Sequence, residues 1–403
     1  MLPSVMCLYL CIMRKVVFWG VIKFSRALRR VTSCTLNSVS IHRHVRWTCL
    51  TDREVFGVIQ TMSFWWLIPT VVGLSFVLTA ALRHYALTRS LLDVPNDRSS
   101  HSVATPRGGG VSIVVAFLLS MTVMCSLGYV DNHFFFGAAG AGLLVAVIGF
   151  MDDHGHIAAR WRLLSHFGAA VWVLTWMGGL APLSVSGMVL DLRLVGDVLA
   201  IFYLVWLLNL YNFMDGIDGI ASVEAITVCL GVCLLYWITG YQELVGGPLL
   251  LAMSVLGFLF WNFPPAKIFM GDAASGFLGI MLGVLSLQAT ATESGFLWVW
   301  LILLGVFIVD ATFTLFRRLI RGDKVYEAHR SHAYQYASRR FSSHLKVTSV
   351  VALINLLWLL PIALSVVRFG LDSGLGVILA YAPLVALAIK FHAGEREAPS
   401  VKT

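Results

Sequence analysis

A succession of long apolar runs is the feature that most constrains how this 403-residue chain can fold. Hydrophobic residues make up 58% of the sequence and charged residues only 12%, against about 25% charged in an average soluble protein. A helix needs about 20 mostly apolar residues to cross a bilayer core of roughly 30 Å. Eleven stretches after Met62 fit this description, near residues 63–83, 109–128, 134–151, 163–180, 195–212, 219–239, 246–262, 273–291, 296–316, 347–367 and 374–391. The sequence therefore predicts an all-α polytopic membrane protein with about eleven transmembrane helices.

The formal net charge of +8 is concentrated at the start of the chain. Residues 1–61 carry nine of the 29 Lys and Arg residues but only Asp52 and Glu54 as acids, and the remainder is nearly neutral. The overall charge is therefore no sign of a nucleic-acid partner. We expect residues 1–61 to be a non-native or disordered basic extension, translated from a start upstream of Met62. A basic segment on the membrane surface and a targeting segment or extra span are the alternatives.

The remaining basic residues predict which loops face the cytoplasm. After Met62, every Lys and Arg except Arg193 and Arg368 lies in the loops that follow every second span or near the C-terminus. The positive-inside rule makes these loops cytoplasmic. The polar motifs of the chain fall in the same loops, so we expect one active site on the cytoplasmic face.

Acidic residues are concentrated where the predicted spans meet these loops. A carboxylate costs roughly 2.5 to 3.5 kcal/mol at the centre of an inserted helix, so acids should lie at membrane edges unless function requires otherwise. Mg²⁺ suits such groups because it takes few protein ligands and completes its shell with water and phosphate oxygens. The acids concerned are Asp152, Asp153, Asp215, Asp218 and Asp272, and the side-chain amide of Asn212 adds a further oxygen donor. A solvated helix end, turn chemistry and helix capping are the structural alternatives.

Spacing indicates how these side chains could be arranged. Asp152 and Asp153 are adjacent and cannot both point along one helix face, so one should face a cation or substrate phosphate and the other a neighbouring base or ligand. Asn212, Asp215 and Asp218 are three residues apart and would share one face if the helix continued through them.

Basic side chains accompany the acids. His329 and His332 lie in the longest polar loop and could contact a pyrophosphate, or the loop could simply bind anionic lipid. Zinc binding is not supported, because no further His or Cys stands nearby. Arg160 and Arg162 follow the Asp152–Asp153 pair, where guanidinium groups suit phosphates or lipid headgroups, or reflect ordinary positive-inside bias.

Two further acids lie inside predicted spans. Asp310 is a functional candidate by default, although it could instead pair with a neighbouring helix. Glu224 could extend the site or could only satisfy a helix end.

In their order along the chain, the motifs resemble the polyprenyl-phosphate N-acetylhexosamine-1-phosphate transferases, glycosyltransferase family 4. The resemblance runs from about Met62 to the last span. The residues within the motifs are most similar to those of the O-antigen-initiating members. It rests on Asp93-x-Pro-Asn-x-Arg98 with Pro106-Arg-Gly-Gly109, Asp152-Asp153, Asn212-Phe-Met-Asp215-Gly-Ile-Asp218, Pro265-Ala-Lys-Ile-Phe-Met-Gly-Asp272 and His329-Arg-Ser-His332.

The resemblance implies an enzyme of the bacterial inner membrane. Residues 62–392 would form the transferase domain and 393–403 a cytoplasmic tail. The enzyme would transfer an N-acetylhexosamine-1-phosphate from a UDP-sugar to undecaprenyl phosphate, with Mg²⁺ or Mn²⁺ as cofactor. The resemblance does not determine which N-acetylated sugar is transferred, and it leaves open whether the protein forms a homodimer.

The resemblance also assigns roles to individual residues. Asp272, Asn212 and Asp215 would hold the metal. The catalytic residues would be Asp152, Asp153, Asp215, His329 and His332, with Asp152 as the carboxylate that deprotonates the lipid phosphate. The donor nucleotide would contact Asp218, Asn262, Phe269, Lys267 and Arg107.

Two departures from the family pattern bear on the substrate and the metal. The first acidic motif continues to His156 where the family often has a third Asp, which leaves a third carboxylate ligand there in doubt. The absence of three adjacent His argues against a muramyl-pentapeptide substrate. A secondary transporter is the chief rival, but transporters place polar groups near the membrane midplane. A non-catalytic sugar-nucleotide or lipid-binding protein is the other alternative.

Overall fold

The computed structural model describes residues 52–89, 91–93, 103–155, 157–185, 188–323 and 329–396, with side chains from residue 65 onward. The chain divides into two units, Met1–Ile59 and Gln60–Thr403. Most of the first unit, and with it most of the expected basic extension, lies outside the described residues. Arg98 and His156 also lie outside them.

Helices form nearly all of the second unit. They are α1 (Asp52–Thr88), α2 (Val111–Ser126), α3 (Asn132–Gly155), α4 (Ala159–Met177), α5 (Arg193–Met214), α6 (Ile220–Thr239), α7 (Gly246–Asn262), α8 (Asp272–Thr292), α9 (Phe296–Leu303), α10 (Gly305–Ile320), α11 (Ala333–Phe341), α12 (His344–Ile354), α13 (Leu360–Phe369) and α14 (Ser373–Lys390). A 3₁₀ turn covers Gln242–Leu244, and a π-helical turn covers Asn355–Leu359 between α12 and α13.

Two short antiparallel hairpins complete the described structure. Strands β1 (Leu92–Asp93) and β2 (Thr105–Pro106) pair with Leu92 opposite Pro106. Strands β3 (Leu183–Val185) and β4 (Met188–Leu190) pair with Ser184 opposite Val189.

The helices are long and apolar enough to make this a multi-pass membrane protein. Within the described residues, eight helical segments pass this test, or up to nine if α9 and α10, which meet at a bend of 70°, count as one span. Each of the eleven predicted apolar stretches overlaps a helix, but α2 is shorter than a full span and α4 is not among the eight. The all-α polytopic class is thus confirmed, whereas the number eleven is not established.

Helix α8 is the centre of the bundle and is buried along almost its whole length. Small residues let its neighbours approach backbone to backbone: a Cβ on Gly279 would stand 2.6 Å from the Cα of Leu208 in α5, and one on Gly149 of α3 would stand 2.6 Å from the Cα of Ala273. Gly149 precedes Asp153 by about one helical turn. The close approach therefore sets the acidic end of α3 beside the start of α8.

Candidate active site at the helix ends

Asp152 and Asp272, from α3 and α8, share one guanidinium group. Arg162 donates to the carboxylate of Asp152, and its Nη1 atom lies 3.5 Å from Oδ2 of Asp272. Asp152 also accepts a hydrogen bond of 2.7 Å from the amide of Ile157. Sequence reasoning considered only phosphate, lipid headgroups or membrane orientation for Arg162. The structure makes it the cation that keeps two predicted site carboxylates together.

Asp153 points away from Asp152 and faces the beginning of α8. Its buried carboxylate accepts from the amide of Ala273 at 3.4 Å, and Arg107 donates to its backbone carbonyl. Gly271 has φ of +83°, and a Cβ there would stand 2.7 Å from Oδ2 of Asp153, so only glycine fits. The two adjacent carboxylates point in different directions, as expected, but the partner of Asp153 is a helix N-terminus and not the base or ligand that the sequence predicted. Its proposed catalytic role stays a prediction.

The segment that carries Arg107 is bonded along the loop before Asp272. The amide of Gly109 donates to the carbonyl of Phe269 and that of Gly110 to the carbonyl of Met270, each at 3.0 Å. In return the amide of Phe269 donates to the carbonyl of Pro106 at 2.8 Å. These bonds fix the loop between α7 and α8 against the segment that enters α2.

The Asn212–Asp218 motif leaves the helix partway through. Helix α5 ends at Met214 and Asp215 is its C-terminal cap, so Asn212, Asp215 and Asp218 do not share one helical face. Asn212 remains close to α8, because its Oδ1 accepts from the Ser275 hydroxyl at 3.2 Å. The turn that follows allows Asp218 to reach a different part of the site.

Carboxylates crowd one another around Asp215. Burial raises the pKa of Asp215 well above its usual range, and the negative charges of Asp272, Asp153 and Asp218 raise it further. Within the described residues, no three His, Cys, Asp or Glu side chains are arranged to hold a metal by themselves. Mg²⁺ commonly binds through one or two carboxylates plus water and substrate phosphates. The donors on Asp272, Asn212 and Asp215 fit such a shared shell, and a divalent cation would relieve the repulsion.

Asp218 lies at a cleft of about 650 Å³. Its Oδ2 accepts from the amide of Ala266 at 3.0 Å, and its Oδ1 lies 3.2 Å from Nδ1 of His344. The cleft is bounded by the loop between α7 and α8, which contributes Phe269, and by the link between α11 and α12. Sequence reasoning assigned no role to His344.

Asn262 and Lys267, two predicted donor contacts, are not among the residues that line this cleft. The Asn262 amide is buried; its Oδ1 accepts from the amide of Gly219 at 3.1 Å and its Nδ2 donates to the carbonyl of Ile268 at 3.0 Å. Asn262 therefore ties the Asp218 turn to the adjacent loop. Lys267 is exposed, with its Nζ 5.7 Å from the centre of the Trp261 ring.

The histidine loop is anchored to Asp310, inside α10. Buried Asp310 accepts from the amides of Ala333 and Tyr334, each at 3.0 Å, and lies 3.3 Å from Nδ1 of His332. The hydroxyl of Tyr334 in turn donates to the carbonyl of Phe213 at 3.0 Å, which brings the loop to the Asn212–Asp218 motif. From the sequence, Asp310 is either a functional residue or a partner for a neighbouring helix. In the structure its carboxylate pairs with a neighbouring segment.

The two histidines are stacked, with ring centres 4.9 Å apart. Burial lowers the pKa of His329 to about 3, with further lowering from His332 and Arg318, so this ring is neutral at physiological pH. The buried Nε2 atom of His332 has no hydrogen-bond partner within the described part of the chain. A ring nitrogen is therefore left for a ligand.

The structure brings together the motifs that the sequence places in five separate loops. Direct bonds join the ends of α3 and α5 to the first turn of α8, and the histidine loop is bonded to Asp310 of α10 and to Phe213 of α5. Of the partners that complete these contacts, Arg162, His344 and Tyr334 were not predicted, because each bonds to a residue far from it in the chain. The helices form an apolar bundle, and the acidic loops are bonded together at the helix ends. The fold is therefore that of a multi-pass membrane protein with a polar site at one end of the bundle.

Comparison with known proteins supports one family. Residues 135–290 match the model of glycosyl transferase family 4. The chain is 27% identical over 286 residues to the probable undecaprenyl-phosphate N-acetylglucosaminyl 1-phosphate transferase of Bacillus subtilis, covering 70% of this chain and 79% of that protein. It is 28% identical over 293 residues to the undecaprenyl-phosphate alpha-N-acetylglucosaminyl 1-phosphate transferase of Thermotoga maritima, covering 71% and 87%.

A third relative, with slightly lower identity, has a similar name. The chain is 26% identical over 338 residues to the decaprenyl-phosphate N-acetylglucosaminephosphotransferase of Mycobacterium tuberculosis, covering 76% of this chain and 81% of that protein. The family model and these relatives support the polyprenyl-phosphate hexosamine-1-phosphate transferase family for this chain, as the order of its motifs predicts.

Proposed function

We propose that this protein transfers an N-acetylhexosamine-1-phosphate from a UDP-sugar to a polyprenyl phosphate, releasing UMP and starting a lipid-linked glycan such as O-antigen. The main support is the pair Asp152 and Asp272 on one guanidinium at the end of an apolar bundle. Such a place is within reach of both a membrane-bound phosphate and a water-soluble nucleotide. The relatives named as N-acetylglucosamine-1-phosphate transferases point to the same reaction.

In the proposed reaction, an oxygen of the lipid phosphate attacks the β-phosphorus of the UDP-sugar. A new P–O bond forms, the bond to the UMP oxygen breaks, and polyprenyl-pyrophosphoryl sugar remains in the membrane. Phosphoryl transfer depends mainly on positioning and electrostatics. Mg²⁺, or Mn²⁺, held by Asp272, Asn212 and Asp215 would supply charge neutralisation on the pyrophosphate.

The residues around this centre have separate roles in binding and orienting the two substrates. A phosphate monoester has its second pKa near 6, so it is already largely ionised at pH 7. Asp152, fixed by Arg162, therefore orients the lipid phosphate more than it deprotonates it. The nucleoside lies in the cleft between Asp218 and Phe269, and the His332 ring contacts the pyrophosphate or sugar. The site faces the cytoplasm of a bacterial inner membrane, where UDP-sugars are made.

An assay of the purified protein tests this proposal. Radiolabelled undecaprenyl phosphate is incubated with UDP-linked GlcNAc, FucNAc or QuiNAc, with Mg²⁺ or with EDTA. We expect lipid-linked sugar and equal amounts of UMP from at least one donor, and neither product in EDTA. Absence of lipid product with every donor contradicts the proposal. UMP exchange in the absence of the lipid acceptor would instead indicate a covalent enzyme intermediate.

A further inference from the structure

Asp218 is held from two sides of the cleft. On one side its Oδ2 accepts from the amide of Ala266, in the loop between α7 and α8. On the other side stands α12, whose first residue, His344, lies 3.2 Å from the Oδ1 of Asp218 through Nδ1. Both carboxylate oxygens thus have a protein partner on opposite walls, and the carboxylate cannot rotate without losing one of them.

Helix α12 also holds the backbone of Asp218. The Thr348 hydroxyl, one turn beyond His344, donates to the carbonyl of Asp218 at 3.0 Å. At the start of the helix, the Ser343 side chain accepts from the amide of Lys346 at 3.3 Å and caps the first turn. Helix α12 is therefore fixed at its N-terminus and contacts Asp218 at two points.

The protonation of the His344 ring follows from its two contacts with Asp218. Nδ1 lies 3.2 Å from the carboxylate and 3.4 Å from the amide nitrogen of the same residue. A protonated Nδ1 can donate to the carboxylate, whereas an unprotonated Nδ1 can accept from the amide. The carboxylate contact is shorter and carries the charge, so we assign the hydrogen to Nδ1, where it donates to Asp218.

We propose that His344 is a positioning residue for donor binding. It holds the Asp218 carboxylate at the wall of the cleft, where this group accepts hydrogen bonds from the N–H or O–H groups of the donor nucleoside. This inference rests on the proposed function, since it takes the cleft as the nucleoside site. His344 acts through Asp218 and not on the reacting phosphorus, so its loss should affect donor binding much more than the chemical step.

Two substitutions separate positioning from general structure. H344L removes the hydrogen bond to Asp218, whereas H344N places an amide N–H near the position of Nδ1. For H344L we expect the KM for the UDP-sugar and the Kd for UMP to rise about tenfold, with kcat changed less than about threefold. H344N should restore most of this loss. H392N, which alters an exposed histidine beside Glu395, is the matched control and should behave like the unaltered protein.

A double substitution gives the sharpest readout. Because His344 acts through Asp218, D218N with H344L should bind UMP no more weakly than D218N alone. Additive losses would overturn the inference, as would an unchanged UMP Kd in H344L. Equal falls in melting temperature for H344L and H344N, with kcat and KM both altered, would show a structural role instead. Failure of the unaltered protein to bind UMP would contradict the proposed function itself.

Discussion

Acids at the helix ends and acids within the bundle are treated differently by this fold. At the helix ends, Asp152 and Asp272 share a single Arg162, and the pKa of Asp215 is raised by burial and by its acidic neighbours. Within the bundle, Asp310 accepts four hydrogen bonds from protein groups, and Glu224 is paired with Asn355. The protein thus supplies donors to both oxygens of Asp310 and to one oxygen of Glu224.

This difference separates binding from structural roles better than sequence can. A buried polar group is costly unless it is hydrogen-bonded, and an acid that the protein fully satisfies has little capacity left for a ligand. Acids that repel one another are stable only when something else compensates them, and at the end of an apolar bundle a cation or a cationic ligand can reach them. The comparison predicts that removal of one negative charge has opposite consequences in the two regions.

The largest effect is expected for Asp272. D272N keeps the shape of the side chain but removes the charge that would hold the metal. We expect turnover to fall by at least about 100-fold, as for removal of other groups that stabilise transition-state charge, with the melting temperature preserved. Steady-state release of UMP measures the first quantity and thermal unfolding in detergent the second. Near-normal turnover in D272N would remove the metal role of this residue.

For Asp310 we expect the converse result: a substitution should mainly lower the stability of the protein. In D310N one oxygen becomes an NH₂ group that faces the amide of either Ala333 or Tyr334, so a donor opposes a donor. Loss of a buried charged partner costs about 3 kcal/mol or more. Equilibrium unfolding should show this loss, together with weaker turnover as the histidine loop is released. E395Q, which alters a half-exposed partner of Arg317, should cost less than about 1 kcal/mol. Equal stability of the two variants would contradict the anchoring role.

Much of the fold follows from the sequence, because a run of about 20 apolar residues has only one stable form in a membrane interior. Each predicted stretch accordingly overlaps a helix, and the alternation of basic loops correctly groups the motifs that meet in space. The order of the acidic motifs also suffices to place Asp152 and Asp272 in one site.

The pairings within the site could not be predicted. Asp218 and His344 are far apart in the chain, and their contact depends on how α6 and α12 pack. The spacing of Asn212, Asp215 and Asp218 indicated a shared helical face, but Asp215 ends the helix. Asn262 resembled a nucleoside contact, yet its amide is used by Gly219 and Ile268. Local pattern identifies the type of group required, and tertiary packing decides which partner it receives.

The smallest effect is expected for Glu224, although it is the most deeply buried acid of the comparison. Asn355 donates from Nδ2 to Oε2 of Glu224 at 2.7 Å. Among the described residues, neither Oε1 of Glu224 nor Oδ1 of Asn355 has a hydrogen-bond partner. Both atoms are buried acceptors. A protonated Glu224 gains a donor group and loses a charge that the membrane interior disfavours.

Gln at position 224 has the hydrogen-bonding pattern of that protonated acid, with an N–H group in place of the O–H. E224Q should therefore keep stability within about 0.5 kcal/mol and turnover within about twofold, whereas E224L should cost about 1–3 kcal/mol, because it leaves unsatisfied the one Asn355 N–H that does not donate to Thr227. Unfolding and UMP release measure the two quantities. A fall in turnover in E224Q as large as that in D272N would mean that Glu224 carries a negative charge and belongs with the acids of the helix ends.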